Sequence, residues 1–376
     1  MRAQGRLDQE TVVACEPGAL LADFVSPNPS EYQSLRERMP EDWGFLATEW
    51  PKAWAEAYLP YDRWRGPYRC LTIRDADGAV IGVLPLATLA FGPMKFTALA
   101  GQFYPYRGPA VVADPIAMKS ACEKMVEVLA EKPNRLLGVR MGPIRADEMS
   151  AVALVSALSS SGWRIGRRMV GQSFTLSLPP TLLDFNQASK GIIKKVAYYE
   201  RRLRKRAKLT IKEHRSLDPE AWARVLDDAE AVERNSWVFK ERGFLKFNGH
   251  NNRKFWLRAL SDEYLARAIV IWIMYADQKP ISFSLNLDAD RTKYILANSH
   301  DDAFEEHSPG HILAHRLLAA AIDRQMTCVD WGVGDSGYKQ RWLAKPGPFV
   351  HDVIALPPGL MSHLLRWLCR GAHYTF

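Results

Sequence analysis

Three apolar runs, "ARAIVIWIMYAD", "KPISFSLNLDAD" and "RTKYILANSHD", follow one another with only short turns, at Asp277 to Lys279 and at Asp288 to Asp290. Each alternates or runs apolar in strand fashion, and connections this short join antiparallel neighbours. The middle of the C-terminal half is therefore a β-meander. A helix comes next. "SPGHILAHRLLAAAIDRQ" places Ser308 at the N-cap and Pro309 at the first helical position, and its apolar face is carried by Ile312, Leu313, Leu317 and Ala320. The strand "TCVDW", a glycine-rich turn, a short helix, the strand "FVHDVIAL" and a terminal helix complete the half.

The first half has the same order. Helical patterns near Ser30 to Arg38 and Glu49 to Tyr58 lead into the strands "YRCLTIRD" and "AVIGVLPLATLAFG", joined by a turn containing Asp77-Gly78. A helix near Ile116 to Ala130, the strand "NRLLGVRMG", a helix near Asp147 to Ser160 and the strand "GQSFTLSLP" follow. After "LPPTLLDF" a basic helix (about Gln187 to Ala207), the strand "KLTIKEH" and helices near Trp222 to Arg234 and Asn251 to Ser261 lead into the meander. The repeated order implies a duplicated α+β fold, with lobes spanning 1–180 and 181–376.

Charge is concentrated in one element. The chain of 376 residues has a net charge of +8, yet residues 190–215 hold eleven Lys/Arg against Glu200 and Glu213, a net of +9 that leaves −1 for the remainder. The basicity belongs to one helix and its following strand, which argues against a general nucleic-acid binder. Five cysteines (Cys15, Cys70, Cys122, Cys328, Cys369) are spread without CxxC or metal-ligand spacing, so no metal site is expected. With no long apolar run, the chain reads as cytoplasmic, at most peripheral at the inner face of a membrane.

The turn "DWGVGDSGYKQRW" (Asp330 to Trp342) contains Gly332-x-Gly334-x-x-Gly337, a dinucleotide-binding spacing, and is one residue out of register with a P-loop. Neither holds. A dinucleotide fold needs a parallel sheet built after this turn, but Pro346, Gly347 and Pro348 follow within about two helical turns. A P-loop would set Asp335 against the phosphates.

The region from Tyr294 to Trp342 resembles acyltransferases of the GNAT superfamily, in the branch of the CelD-like exopolysaccharide proteins and the Fem-type peptidyltransferases. The family pattern is a strand, an "sPG" helix start, a helix, then D-(F/W)-G-x-G-D-x-x-Y-K-x-x-(W/F). Ser308, Pro309 and Gly310 match the first part; Asp330, Gly332, Gly334, Asp335, Tyr338, Lys339 and Trp342 match the second. Tyr106, Arg107, Gly108 and Pro109 resemble the "prGPv" segment of Fem-type enzymes. The resemblance implies two tandem GNAT-like lobes, each a mixed, mostly antiparallel sheet flanked by helices, with acetyl-CoA as acyl donor. One departure is clear: the usual Arg/Gln-x-x-Gly-x-Gly/Ala donor loop reads His307 to Ile312 here and keeps one glycine. Aminoacyl-tRNA is the alternative donor.

Acyl transfer needs a polarised carbonyl, a deprotonated nucleophile and a seat for the donor's anionic handle. Free amides at the Ser308 helix start, with Gly310, His311 and Ile312, would hold that handle. Asp335 would orient or deprotonate the acceptor amine, Lys339 would stabilise the oxyanion or donor phosphates, and Tyr338 would donate a hydrogen bond. Against this stands an N-capping Asp335 in an i,i+4 pair with Lys339. His300 is a further candidate base. An acceptor groove is expected from Trp237, Phe239 and Arg242, with Tyr106 and Arg107, and aromatic faces suit a sugar. The acceptor expected is an amino sugar of a cell-surface or exported polysaccharide, free or on a lipid-linked intermediate, with a Fem-like peptidyltransferase as the rival. A third reading is a non-catalytic effector at an anionic membrane, with Arg202 and Arg206 gripping a cyclic dinucleotide such as cyclic di-GMP. The terminal helix, with Trp367 between Arg366 and Arg370, would then lie in the membrane interface.

Overall fold

The computed structural model describes residues 20–39, 44–59, 67–91, 94–101, 105, 108–131, 137–145, 147–243, 245, 249–335 and 337–376. The first half contributes strands β1 (Leu21–Asp23), β2 (Arg69–Arg74), β3 (Val80–Phe91), β4 (Met94–Leu99), β5 (Val111–Val112), β6 (Val139–Arg145) and β7 (Arg164–Ser177). Its helices are α1 (Pro29–Arg38), α2 (Trp50–Tyr58), α3 (Pro115–Ala130) and α4 (Met149–Ser160). The second half opens with helices α5 (Leu182–Ala188) and α6 (Lys190–Arg206), then strand β8 (Leu209–Arg215). Helices α7 (Pro219–Arg234), α8 (Trp237–Arg242), α9 (His250–Ala259) and α10 (Glu263–Ala268) precede the meander β9 (Ile269–Ala276), β10 (Lys279–Ala289) and β11 (Thr292–His300). Helix α11 (Pro309–Asp323), β12 (Cys328–Val333), α12 (Tyr338–Arg341), β13 (Lys345–Leu356) and α13 (Leu360–Gly371) end the chain.

The meander forms where expected. Its first turn carries positive φ at both Asp277 (49°) and Gln278 (71°), the left-handed pair that matches strand twist in a two-residue hairpin. Ile271, Ile273, Phe283, Leu285 and Leu287 pack on one face with α7, α9 and α10. Met274, Ile281 and Ile295 pack on the other with α6 and α11. Helices on both faces explain why these strands read as near-continuous apolar runs. The same core joins the halves: Trp50 of α2 is wholly buried and meets Phe255 of α9 edge-on at 5.0 Å.

All the strands join one sheet, in the order β1-β2-β3-β4-β6-β13-β7-β12-β11-β10-β9-β8, with β5 on β3. The order is symmetric about its centre: β2, β3, β4 and β6 answer to β9, β10, β11 and β12, and each set holds one parallel pair, β4–β6 and β11–β12. The final strands are exchanged. β7 pairs with β12, and β13 lies between β6 and β7. The sequence offers no sign of this, because the partner of a strand is not written in its own residues. At the crossing, Asp352 of β13 is wholly buried and accepts from Arg140 (2.9 Å), Arg168 (2.8 Å) and Tyr374 (2.7 Å).

Several boundaries differ from those expected, among them that of β13, which begins at Lys345 rather than Phe349. The basic helix is two helices, α5 and α6, that meet at Ser189. β6 begins at Val139 rather than Asn134, and β7 begins seven residues before Gly171, at Arg164. Strand β4 is not among the expected elements, although Gly92-Pro93 separates its residues from the apolar run of β3 in the sequence. Among the described residues no helix is long and apolar enough to cross a membrane.

Candidate active site

β11 and β12 are parallel neighbours over only three registers, Thr292–Cys328, Lys293–Val329 and Tyr294–Asp330. β11 then continues to His300 on β10 alone, while β12 bulges between Asp330 and Val333 and stays with β7. The parting strands open a cleft of about 610 Å³, walled by β10, β11 and β12 and closed at one end by the start of α11 and the turn before α12. Trp237, His300, Ser308, Gly310, His311, Asp335, Tyr338 and Lys339 all line it. The helix start and the glycine-rich turn thus face one space.

The glycines of the turn serve the backbone. Gly332, Gly334 and Gly337 have φ of 74°, 76° and 81°, a region other residues enter at a cost of about 1–2 kcal/mol each. That requirement, not a phosphate, accounts for the G-x-G-x-x-G spacing. The remaining matched residues brace the turn against α11. Asp330 Oδ1 accepts from the Gly332 amide (2.8 Å), and Asp335 Oδ1 accepts from the Lys339 amide (3.0 Å). Lys339 Nζ donates to the carbonyls of Gly332 (2.8 Å) and Val333 (3.2 Å), and the Tyr338 hydroxyl to the Gly310 carbonyl (3.2 Å). Trp342, wholly buried between Phe185 and His315, donates its indole N–H to His311 Nδ1 (3.2 Å).

Several polar atoms are left over. Ser308 is held at φ 45° and its side chain makes no capping bond, so the start of α11 is uncapped. The His311 and Ile312 amides reach back to the Ser308 carbonyl, whereas the Gly310 amide has no backbone acceptor among the described residues. Asp335 Oδ2 is buried without a partner there, as is the indole N–H of Trp331. Each such atom costs about 1–3 kcal/mol if nothing pairs with it.

Burial sets the titration of the site. It pulls His300 below the usual imidazole range, with Asp302, Glu305 and Asp301 pulling the other way. It pulls His311 down to about 4, helped by the charge of Arg341, so this ring is neutral near pH 7. Because Nδ1 accepts from Trp342, the proton of His311 sits on Nε2. Burial lowers Lys339 to about 8 against the pull of Asp330 and Asp335, and raises the Tyr338 phenol.

A second recess of about 310 Å³ shares Ser308 and His311 with the cleft and is flanked by Lys195 of α6 and by Arg341. Two cations beside an uncapped helix start suit the anionic handle of a donor. Other predicted residues lie elsewhere. Ile312 is wholly buried in the core behind the helix. Phe239 sits under Arg234 at 5.8 Å and does not line the cleft, and Arg242 ends α8, its side chain outside the described part of the structure. Arg202 and Arg206 both pair with Glu306, at 3.4 and 3.1 Å. Tyr106 and Arg107 fall outside the described residues. Sequence reasoning missed Trp331, and Ser282, Ser284, Asn298 and Glu305, which bring further polar groups to the wall. Alternation along β10 and β11 could have found the strand residues; nothing in the sequence marks Glu305.

Residues 191–340 match the acetyltransferase (GNAT) domain. FemX shares the fold at 12% identity, covering 91% of this chain and 98% of that one, with a TM-score of 0.60. L-PGS from Bacillus licheniformis is 12% identical over 90% and 96% of the two chains, TM-score 0.51. The C-terminal domain of a protein named as a lysylphosphatidylglycerol synthetase, from Agrobacterium fabrum, is 10% identical over 85% and 94%, TM-score 0.50. No curated protein matches the sequence at a significant level. The chain has a GNAT-type acyltransferase fold, and its cleft lies inside the matched domain.

Proposed function

We propose that the protein transfers an acyl group, acetyl from acetyl-CoA in the simplest case, to the amine of an amino sugar in a cell-surface or exported polysaccharide. One observation carries this reading. Gly310, whose amide has no backbone acceptor among the described residues, and Asp335, one of whose carboxylate oxygens is buried without a partner there, line the same cleft, one suited to a donor and the other to an amine. Lys195, Arg341 and the α11 start would hold the donor's phosphates, and the donor brings an activated carbonyl. Asp335 Oδ2 would accept the N–H of the amine, with His300, kept neutral by burial, taking the proton as the C–N bond forms. Trp237, 48% exposed at the cleft edge, offers an aromatic face to a sugar ring. The CelD-like assignment and the glycan acceptor rest on the sequence resemblance.

The test is titration calorimetry with acetyl-CoA, then acetyl transfer to 2-amino-2-deoxy sugars. Asp335→Asn keeps an oxygen for the Lys339 amide and removes the charge; kcat should fall by about 10²–10⁴ with the thermal midpoint unchanged. Undiminished kcat in the folded variant would remove Asp335 from the chemistry.

A second reading, an aminoacyl-tRNA-dependent Fem-like peptidyltransferase, draws support from the basic helix beside the second recess, whose charge exceeds what a donor pyrophosphate needs. Binding of aminoacyl-tRNA without acetyl-CoA would favour it. The effector reading requires a cyclic dinucleotide to displace Glu306 from Arg202 and Arg206. Membrane docking through α13 has one feature in its favour, Trp367 at 70% exposure.

A further inference from the structure

Most donors around the cleft are already committed. The Lys339 ammonium is held by the Gly332 and Val333 carbonyls, the Tyr338 hydroxyl by the Gly310 carbonyl, and the Trp342 indole by His311. Trp331 is different. It stands on the β12 bulge, 6% exposed, in the cleft wall and edge-on to Tyr338 at 5.7 Å. Its indole N–H is buried and has no partner among the described residues. A phenylalanine, which the resembling pattern admits here, would fill the wall with no polar atom to satisfy. A tryptophan carries a desolvation cost unless something in the cleft accepts from it.

Four residues on, Asp335 Oδ2 is the converse, a buried acceptor with no donor. The adduct of an amine with an acyl carbonyl carries the complement of this pair on one carbon: an oxygen gaining negative charge and a nitrogen losing a proton. We propose that Trp331 is the oxyanion donor of the site, its Nε1–H bonding the acyl carbonyl oxygen while Asp335 Oδ2 accepts from the attacking amine. The inference rests on the acyl-transfer reading. In the step, the C–N bond forms and the bond from the carbonyl carbon to the donor's sulfur or oxygen breaks. The proton leaving the amine passes through the base to that departing atom. An indole N–H fixed by packing needs no reorganisation as charge develops, which is where such donors contribute most.

The experiment replaces Trp331 with β-(3-benzothienyl)alanine, which keeps the ring shape and removes the N–H. Transfer by the wild type is measured in parallel. The expected result is a fall in kcat of about 10- to 100-fold with KM little changed. The thermal midpoint should stay the same or rise, since an unpaired buried donor has gone. Trp331→Phe should show the same kcat loss, with any packing cost read separately by denaturation. If the wild type transfers acetyl or aminoacyl groups and the benzothienyl variant matches it, Trp331 merely packs and the assignment is overturned alone. If the wild type transfers from neither donor to any amine, the acyl-transfer reading falls and takes this assignment with it.

Discussion

In the first lobe, Glu148 follows β6 and caps α4 with both of its oxygens. Oε1 accepts from the Ser150 amide (2.9 Å), and Oε2 from the Ser150 hydroxyl (2.7 Å) and the Ala151 amide (3.2 Å). In the second lobe, Asp335 follows β12 and accepts the Lys339 amide of the first turn of α12 with one oxygen, leaving the other buried and unpaired among the described residues. The helix starts differ in the same sense. Asp114 caps α3 through the Ala117 amide (2.8 Å), while Ser308, left-handed and making no capping bond, leaves α11 open. Gly108 sits so close to Glu148 that a Cβ there would lie 1.7 Å from Oε2, so this glycine lies directly against the carboxylate. Of two copies of one topology, the first pairs both carboxylates with amides at its helix starts, and the second leaves one carboxylate oxygen and one helix start without a partner among the described residues. Unpaired groups are a stability cost that a duplicated fold can concentrate in one copy.

The sharpest way to break this comparison is at the exchanged strands. If stability in the first lobe underwrites an open site in the second, the two should unfold together, because β13 and β7 tie each lobe to the other. Asp352→Ala would take the buried carboxylate from Arg140 and Arg168, which are themselves 29% and 40% exposed, and leave the Tyr374 hydroxyl unpaired; with the arginines open to water the loss is about 3 kcal/mol. Urea unfolding followed by circular dichroism and by tryptophan fluorescence should give one transition at a lower midpoint by both probes. Two separated transitions would show lobes that fold alone.

How much of this was legible in the sequence follows from the range of each interaction. The meander, the α11 start and the duplicated order were readable because turn residues and apolar periodicity act within a few positions. The gathering of Gly310 and Asp335 around one cleft was anticipated through the family pattern. The strand exchange was not, since pairing partners lie about 150 and about 210 residues apart (Val329 with Leu176, Ile354 with Arg140) and leave no local trace. The functions of Lys339 and Tyr338 looked chemical from their residue types. Their nearest partners are backbone carbonyls, and the atoms left free belong to Trp331 and Asp335. Sequence names a donor but not whether its hydrogen bond is already made.

Importing the first lobe's cap into the second should sharpen the comparison. Ser308→Asp would set a carboxylate at the α11 start, and aspartate tolerates the left-handed φ of 45° there better than most residues. It would turn toward the free amides and repel an anionic donor. Acetyl-CoA affinity, read by calorimetry, should fall about 100-fold, roughly 2.7 kcal/mol, with thermal stability equal or higher. An unchanged affinity would move the donor away from this helix.

The reciprocal change is the smallest in effect. Asp114→Ala removes the carboxylate that satisfies the Ala117 amide, and loss of such a cap costs about 1 kcal/mol. Ser308→Ala removes no capping bond and should cost clearly less, although the two serve equivalent helices. Differential scanning calorimetry of the two variants side by side, with transfer kinetics, makes the measurement. Asp114→Ala should lower the midpoint and leave kcat and KM alone, because its helix start does not line the cleft. If Ser308→Ala proved the more destabilising, the α11 start would be a structural cap after all, and the division of labour between the lobes would lose its footing at the helix ends.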